Sequence, residues 1–168
     1  MYNLRYYKEQ QKKYDAVLNS LNIFDACLVL DVGCGTGLFI RRIADYSGTI
    51  IGVDASRKML DEVVKTRNPL TDVSLICGDA DFLPVRDNVF NRVFAFTLLQ
   101  NMPHPEQTIR EILRVAAIDS IVVLTAQKKS FTKERFMSML ENLDLCISSF
   151  LDDSELKDCI VICGKPRN

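Results

Sequence analysis

The sequence predicts an α/β fold with a doubly wound, mostly parallel sheet of seven strands. Three observations carry this expectation. Short apolar runs rich in branched residues recur between 28 and 163, and most alternate with segments whose apolar residues fall at helical spacing. Successions of strand, helix and strand cross over right-handedly and build parallel sheets. The first apolar run also leads into a turn with glycines at 33, 35 and 37, where a backbone free of Cβ atoms can approach a ligand closely.

Residues 4–22 read as a helix with Tyr14, Val17, Leu18 and Leu21 on its apolar side. The pair Tyr6-Tyr7 and the bases Arg5, Lys8, Lys12 and Lys13 precede or flank that side, the lysines being expected in solvent. Cys27–Val32 is a strand buried on both faces. The glycine turn delivers the chain to a helix carrying Leu38, Phe39, Ile40, Ile43 and Ala44, whose first N–H groups are expected to face whatever binds. Thr49–Asp54 is a second buried strand ending in a carboxylate, followed by a helix capped by Ser56 with Met59, Leu60, Val63 and Val64 inward. Val73–Cys77 is the third strand and ends at Gly78-Asp79-Ala80; Arg92–Thr97 is the fourth. A helix over about 105–116 turns Ile109, Ile112, Leu113 and Ala116 inward, and Ile118–Thr125 is the fifth strand. A last helix, Phe131–Glu141 with Phe136, Met137 and Leu140 inward, leads to two strand-like runs, 143–150 and 158–163.

The chain of 168 residues is long enough to bury a core as one domain, 1–168, with 1–22 as a helical arm. Its 48% apolar and 26% charged residues are ordinary for a globular protein, and its apolar runs are too short to span a bilayer, so no membrane association is expected. The polar, tyrosine-rich opening from Met1 to Asp15 lacks the charged-then-apolar pattern of a signal segment, which predicts a cytoplasmic protein. A net charge of −1 gives no global attraction for nucleic acid and leaves only a local basic patch for that role. Of six cysteines, five (Cys27, Cys77, Cys146, Cys159 and Cys163) lie in apolar strand patterns and Cys34 in the turn; Cys159 and Cys163 match no zinc spacing, so no metal site is expected.

Two phosphate-binding motifs are absent. Residue 38 is Leu and the third glycine stands at 37, which breaks the G-x-G-x-x-G dinucleotide spacing, and no G-x-x-x-x-G-K-[ST] occurs. The string Asp31-Val32-Gly33-Cys34-Gly35-Thr36-Gly37 instead resembles motif I of the class I S-adenosylmethionine (SAM) dependent methyltransferases, of the methyltransferase-11-like group. Asp54 matches that family's motif II acid, where a carboxylate at a strand end accepts from ribose hydroxyls. Asp54-Ala55-Ser56-Arg57-Lys58-Met59-Leu60 is similar to the family's D-x-S-x-x-M-L. The segment 81–91 resembles D-x-x-x-L-P-F-x-D-x-S-F-D, with Val85, Val89 and Asn91 departing from it, and 83–88 is similar to strings in tRNA wobble-uridine methyltransferases.

The resemblance implies a Rossmann-like sheet closed by a C-terminal antiparallel hairpin, and SAM as the cofactor. It implies cofactor contacts at Asp31, Gly33, Gly35, Gly37, Asp54, Ala55, Met59 and Leu98, and at the adenine edge, where either Asp79 takes the amino group or the following backbone N–H, at Ala80, takes the ring nitrogen. Substrate chemistry is expected in the loop Leu98–Pro105. The family's N-P-P-Y motif is absent there, and the catalytic residue stays unassigned, with Asn101 and His104 as candidates. The expected reaction is methyl transfer from SAM to an RNA (tRNA) or a translation-related protein, the alternatives being a small-molecule substrate or an inactive methyltransferase-like scaffold. Little surface is left to read a macromolecule beyond a basic lip of Arg5, Lys8, Lys12, Lys13, Lys128, Lys129, Lys133 and Arg135. Three partners are therefore expected as candidates: tRNA, a small zinc-binding activator subunit, or a second copy of the chain.

Overall fold

The computed structural model describes residues 2–21, 28–66 and 72–165, with side chains from residue 6 onward, so Cys27 and Arg5 lie outside what is described. Helix α1 (Tyr2–Ser20) is followed by β1 (Val29–Val32), α2 (Leu38–Ile43), β2 (Ile50–Asp54), α3 (Arg57–Thr66) and β3 (Val73–Cys77). Then come β4 (Phe90–Ala95), a 3₁₀ turn (Leu99–Asn101), α4 (Pro105–Val115), β5 (Ala116–Gln127), α5 (Lys133–Glu141), β6 (Cys146–Leu151) and β7 (Asp158–Gly164). The strands form one seven-stranded sheet in the order β3-β2-β1-β4-β5-β7-β6. β1 to β5 pair in parallel; β7 runs antiparallel to β5 and β6 antiparallel to β7, which is the expected C-terminal hairpin.

Alternation along the strands makes two cores. On β4, Val93 and Ala95 face the core containing Ile109 and Ile112 of α4 and Phe136 and Leu140 of α5. Phe94 and Phe96 face the opposite way, toward Tyr14 and Val17 of α1, Phe39, Ile40 and Ile43 of α2, and Leu60 and Val63 of α3. Because a strand's side chains point alternately to its two faces, a central strand covered on both sides must be apolar at every position. β1 and β7 follow this with one exception each: all but one of their residues are buried, and Asp31 in β1 and Asp158 at the start of β7 are carboxylates among otherwise apolar side chains.

Several expectations change. Met59 and Val64 are 43% and 54% exposed rather than inward, since α3 turns only Leu60 and Val63 to the sheet. In α5 Met139 is buried and Met137 only partly, and the helix starts after Thr132, whose hydroxyl accepts from the Arg135 amide at 3.2 Å, leaving Phe131 in the core ahead of it. β5 begins at Ala116, two residues earlier than the apolar run. Its register against β4 slips between Phe90 and Arg92, and Asp119 in the excess stretch adopts φ 59°, a left-handed conformation that Asp tolerates better than most residues.

Lys13 is the largest departure. Its side chain is 0% exposed, and its ammonium donates to Asp158 Oδ2 and to Thr97 Oγ1, each at 2.7 Å. This pair fastens α1 to the start of β7 and the end of β4. Lys13 therefore leaves the basic lip, and Lys12 pairs with Glu155 at 2.8 Å.

Candidate functional site

The strand order reverses direction at β1, which has β2 on one side and β4 on the other, and in such sheets the crevice at the carboxyl ends of those strands receives the ligand. The glycine turn lies there. Gly33 and Gly37 serve packing: a Cβ on Gly33 would stand 2.9 Å from Leu98 Cδ1, and one on Gly37 2.9 Å from Val63 Cγ1. Gly35 differs. At φ 54° its added Cβ would meet nothing within 4 Å, so it faces open space.

That space is a cavity of about 330 Å³. Asp31 and the turn from Gly33 to Thr36 line one side, Tyr6, Gln10 and Tyr14 of α1 another, and Leu38, Phe39, Met59 and Phe96 complete the wall. Tyr14, Phe39 and Phe96 form a ring cluster with centroids 4.7–5.0 Å apart, an aromatic wall suited to a cation.

The N–H groups of the turn itself, which precede the α2 amides expected to face a ligand, are mostly engaged within the protein. Gly33 and Cys34 donate to the Val53 carbonyl at 2.8 and 3.0 Å, Gly37 to the Cys34 carbonyl at 2.9 Å, and Gly35 to Asp54 Oδ2 at 2.8 Å. Within the turn an anion would find few donors. A cation finds two carboxylates: Asp54, held by the amides of Gly35 and Ser56 (2.8 Å each), and Asp31. Asp54 thus does part of the local holding assigned above to Ser56 alone, while each of its oxygens keeps acceptor capacity for a hydroxyl.

Asp31 is 2% exposed and its Oδ2 is buried without a hydrogen-bond partner. Burial, and secondly the neighbouring Asp54 charge, push its carboxyl up to about 7. Native interiors rarely leave such an atom unpaired, so this oxygen marks where a bound positive group would complete the site. SAM carries an ammonium and a sulfonium, and the residues present fit it better than they fit a pyrophosphate.

The other expected contacts are distributed around the same sheet edge. Ala55 is exposed after β2; Asp79 is exposed after β3, its Oδ1 accepting from the Asp81 amide at 2.9 Å; Ala80 is buried; Leu98 packs against Gly33. Asn101 sits on the 3₁₀ turn and donates to the Thr97 carbonyl at 3.1 Å. His104 is placed elsewhere, ahead of α4, beside a separate cavity with Arg135, Ser138 and Asn142. Neither Asn101 nor His104 lines the glycine-turn cavity, and neither is brought to it.

Sequence reasoning missed Gln10 and Phe96 as lining residues. Positions 10, 13, 14 and 17 share one helical stripe, which is the signal that Gln10 and Lys13 are buried with Tyr14 and Val17.

The profile of the Methyltransferase domain family matches residues 30–124, more than half of the chain, from β1 into β5. The chain belongs to this methyltransferase family. It is 31% identical over 119 residues to the demethylmenaquinone methyltransferase of Staphylococcus saprophyticus, covering 68% of this chain and 51% of that protein. The demethylmenaquinone methyltransferase of Bacillus licheniformis is 32% identical over 130 residues, or 74% and 56% of the two chains. This methyltransferase chain thus spans about half the length of those relatives. Among solved structures, the cyclase SpnF has a TM-score of 0.81 at 21% identity, covering 94% and 82%. Magnesium protoporphyrin IX methyltransferase from Synechocystis PCC 6803, with bound SAM, has 0.78 at 19%, covering 94% and 80%. A Haloferax volcanii methyltransferase in complex with the Trm112 activator has 0.79 at 15%, covering 96% and 94%. At these identities the structures establish the fold alone. Among the described residues no helix is long and apolar enough to cross a membrane.

Proposed function

We propose that the chain is a SAM-dependent methyltransferase, one domain with α1 as its arm, acting in the cytoplasm on a small molecule. The orphaned carboxylate of Asp31 beside the open face of Gly35 carries this reading, because together they ask for a cation that approaches the backbone closely. Of the substrates weighed from the sequence, the small molecule gains support from relatives named demethylmenaquinone methyltransferases; nothing comparable supports tRNA or a translation protein.

SAM, when bound, supplies a methyl group on a positively charged sulfur. Asp31 holds the cationic end, Gly33, Gly35 and Gly37 shape the turn against it, and Leu98 backs Gly33. Asp54 accepts from the ribose hydroxyls, Ala55 and Met59 border the nucleoside, and Asp79 with the Ala80 backbone takes the adenine edge. Met59 is exposed in the ligand's cavity wall, a placement that core packing does not explain. Tyr6, Gln10 and Tyr14 roof the cavity and exclude water. Displacement at a sulfonium methyl depends on alignment more than on a dedicated base, so a site without a catalytic dyad suffices.

The product S-adenosylhomocysteine (SAH) is expected to bind in the micromolar range, about −8 kcal/mol. Asp54→Ala should weaken it by about 1–3 kcal/mol by removing a charged acceptor, and wild-type affinity by calorimetry would overturn the ribose assignment. Incubation with methyl-labelled SAM and a cell extract split into RNA, protein and small molecules should place the label among the small molecules. Label confined to RNA or protein would refute the substrate assignment.

The Haloferax volcanii complex favours a second reading, in which a small activator subunit or a second copy docks on the chain. Light scattering of the pure protein, followed by a pull-down from its native extract, tests it: a monomer that recovers no partner and is active alone ends this reading.

A further inference from the structure

A second cavity, of about 580 Å³, adjoins the first. Tyr6 and Gln10 line both, so the two spaces meet across the arm's inner face. The remaining walls are Glu9, Gln127, Lys128, Lys129 and Lys157. The fold explains why lysines distant in sequence converge. β5 runs parallel to β1 and ends at Gln127, whereas β7 is antiparallel and starts at Asp158, so the residues after one strand and before the other share the carboxyl edge of the sheet. A backbone bond from the Lys128 amide to the Lys157 carbonyl, 2.9 Å, joins them there.

The charges of this cavity are not balanced. Lys157 pairs with Glu9, and Lys128 reaches Asp152 at 2.7 Å and the Asp153 carbonyl at 2.6 Å. Lys129 has no carboxylate partner among the described residues. The unbalanced charge is therefore the ammonium of Lys129, flanked by two paired lysines, in a space that adjoins the glycine-turn cavity. Two lining glutamines add neutral donors and acceptors.

We propose that this cavity receives the methyl acceptor and that the acceptor is a small molecule bearing a carboxylate or a phosphate, gripped by Lys129 and Lys157 with Lys128 beside them. The proposal rests on the methyl-transfer reading above. The size suits a small ligand. Lys128 and Lys12 are already paired with Asp152 and Glu155, which leaves few free cations nearby for a nucleic acid backbone, a ligand that needs several phosphates neutralised together. The anionic group is an anchor and not the nucleophile, because an oxygen paired with ammonium groups gives up the electron density that attack requires. In the transfer, an atom elsewhere on the acceptor forms a bond to the methyl carbon as the carbon–sulfur bond breaks. The bonding pair returns to sulfur, any proton on the attacking atom leaves to water, and the anchor keeps its charge.

Calorimetric titration of the SAH-loaded protein with benzoate and with phenyl phosphate, and with benzyl alcohol as the uncharged control, tests this. At least one anion should bind while the alcohol does not, the stronger of the two telling carboxylate from phosphate. Lys129→Ala should weaken that binding by about tenfold, the loss of one charge-assisted hydrogen bond, with SAH affinity unchanged. Lys129 is exposed and lacks an ion-pair partner among the described residues, so this variant is expected to fold; Lys157→Gln gives a second reading of the same loss. Absence of anion binding, equal binding of the alcohol, or variants that titrate like wild type would overturn the proposal. So would tight binding of a short RNA hairpin by a protein that ignores both small anions. Failure of the wild type to bind SAH would instead sink the methyl-transfer reading, and the anion titration could still be read on the cofactor-free chain.

Discussion

Lys13→Ala is expected to destabilise the protein by about 3–5 kcal/mol, a large part of the 5–15 kcal/mol that typically separates folded from unfolded. Both partners of the Lys13–Asp158 pair have fully buried side chains, and Asp158 Oδ1 is already without a hydrogen-bond partner, so removing the ammonium strands a carboxylate in a dry interior. Thr97 suffers too. It holds φ 55°, an unfavourable conformation for a β-branched residue, and is kept there by bonds from several sides: Lys13 to its hydroxyl, its amide to Thr125 Oγ1 at 2.8 Å, and Gln100 and Asn101 to its carbonyl. Urea unfolding measures the loss. The double variant Lys13→Met with Asp158→Leu should recover most of it, because the cost lies in the uncompensated charge rather than in the absence of a pair. A single variant within about 1 kcal/mol of wild type would show that the pair is not what holds the arm. SAH affinity should fall in the single variant as well, since Lys13 anchors the helix whose Tyr6, Gln10 and Tyr14 roof the cavity.

The parts of the fold legible in the sequence are those set by repeated local choices. The branched runs read at 27–32, 49–54, 73–77 and 92–97 all fall on strands, the last beginning two residues earlier at Phe90 and the 73–77 run forming a partly exposed edge strand, and the glycine turn could be placed from three residues. The antiparallel hairpin was legible only through family resemblance, because periodicity does not show direction: β7 is buried along nearly its whole length like a parallel strand, although it pairs antiparallel with both neighbours. Lys13 was misread because its residue type argues for solvent while its partner Asp158 lies 145 positions away, beyond any local pattern. Met59 erred the other way, an apolar residue at an inward spacing that the structure leaves facing a cavity. Asp31 and Asp54 were legible as carboxylates near strand ends, but the engagement of the turn's N–H groups was not, because it depends on Val53 and Asp54 arriving from the next strand.

Asp31→Asn is expected to abolish the pH dependence that Asp31 gives to both stability and binding. The folded carboxyl is raised from an ordinary 3.8 to about 7, so its contribution to stability is full below about pH 4 and is lost progressively as pH rises to about 7. Over that window the cofactor-free protein should lose on the order of a few kcal/mol, at about 1.36 kcal/mol per unit. Tyr14 and Cys34, which face the same cavity, stay neutral across it because burial pushes both well up, with the Asp31 charge adding to the effect. A cationic ligand beside Asp31 acts in the opposite direction, favouring the ionised form. SAM affinity should therefore strengthen as pH rises through about 7, with a proton released on binding. The amide variant removes the ionisation while keeping the shape: the cofactor-free protein should hold its stability above pH 7, and SAM should bind about 2–3 kcal/mol more weakly at pH 8 with no remaining slope. Thermal unfolding and calorimetry across pH 5–8 read the two effects separately. An Asp31→Asn variant that keeps wild-type affinity and the wild-type pH slope would mean that the unpaired oxygen is not where the cofactor's charge is held.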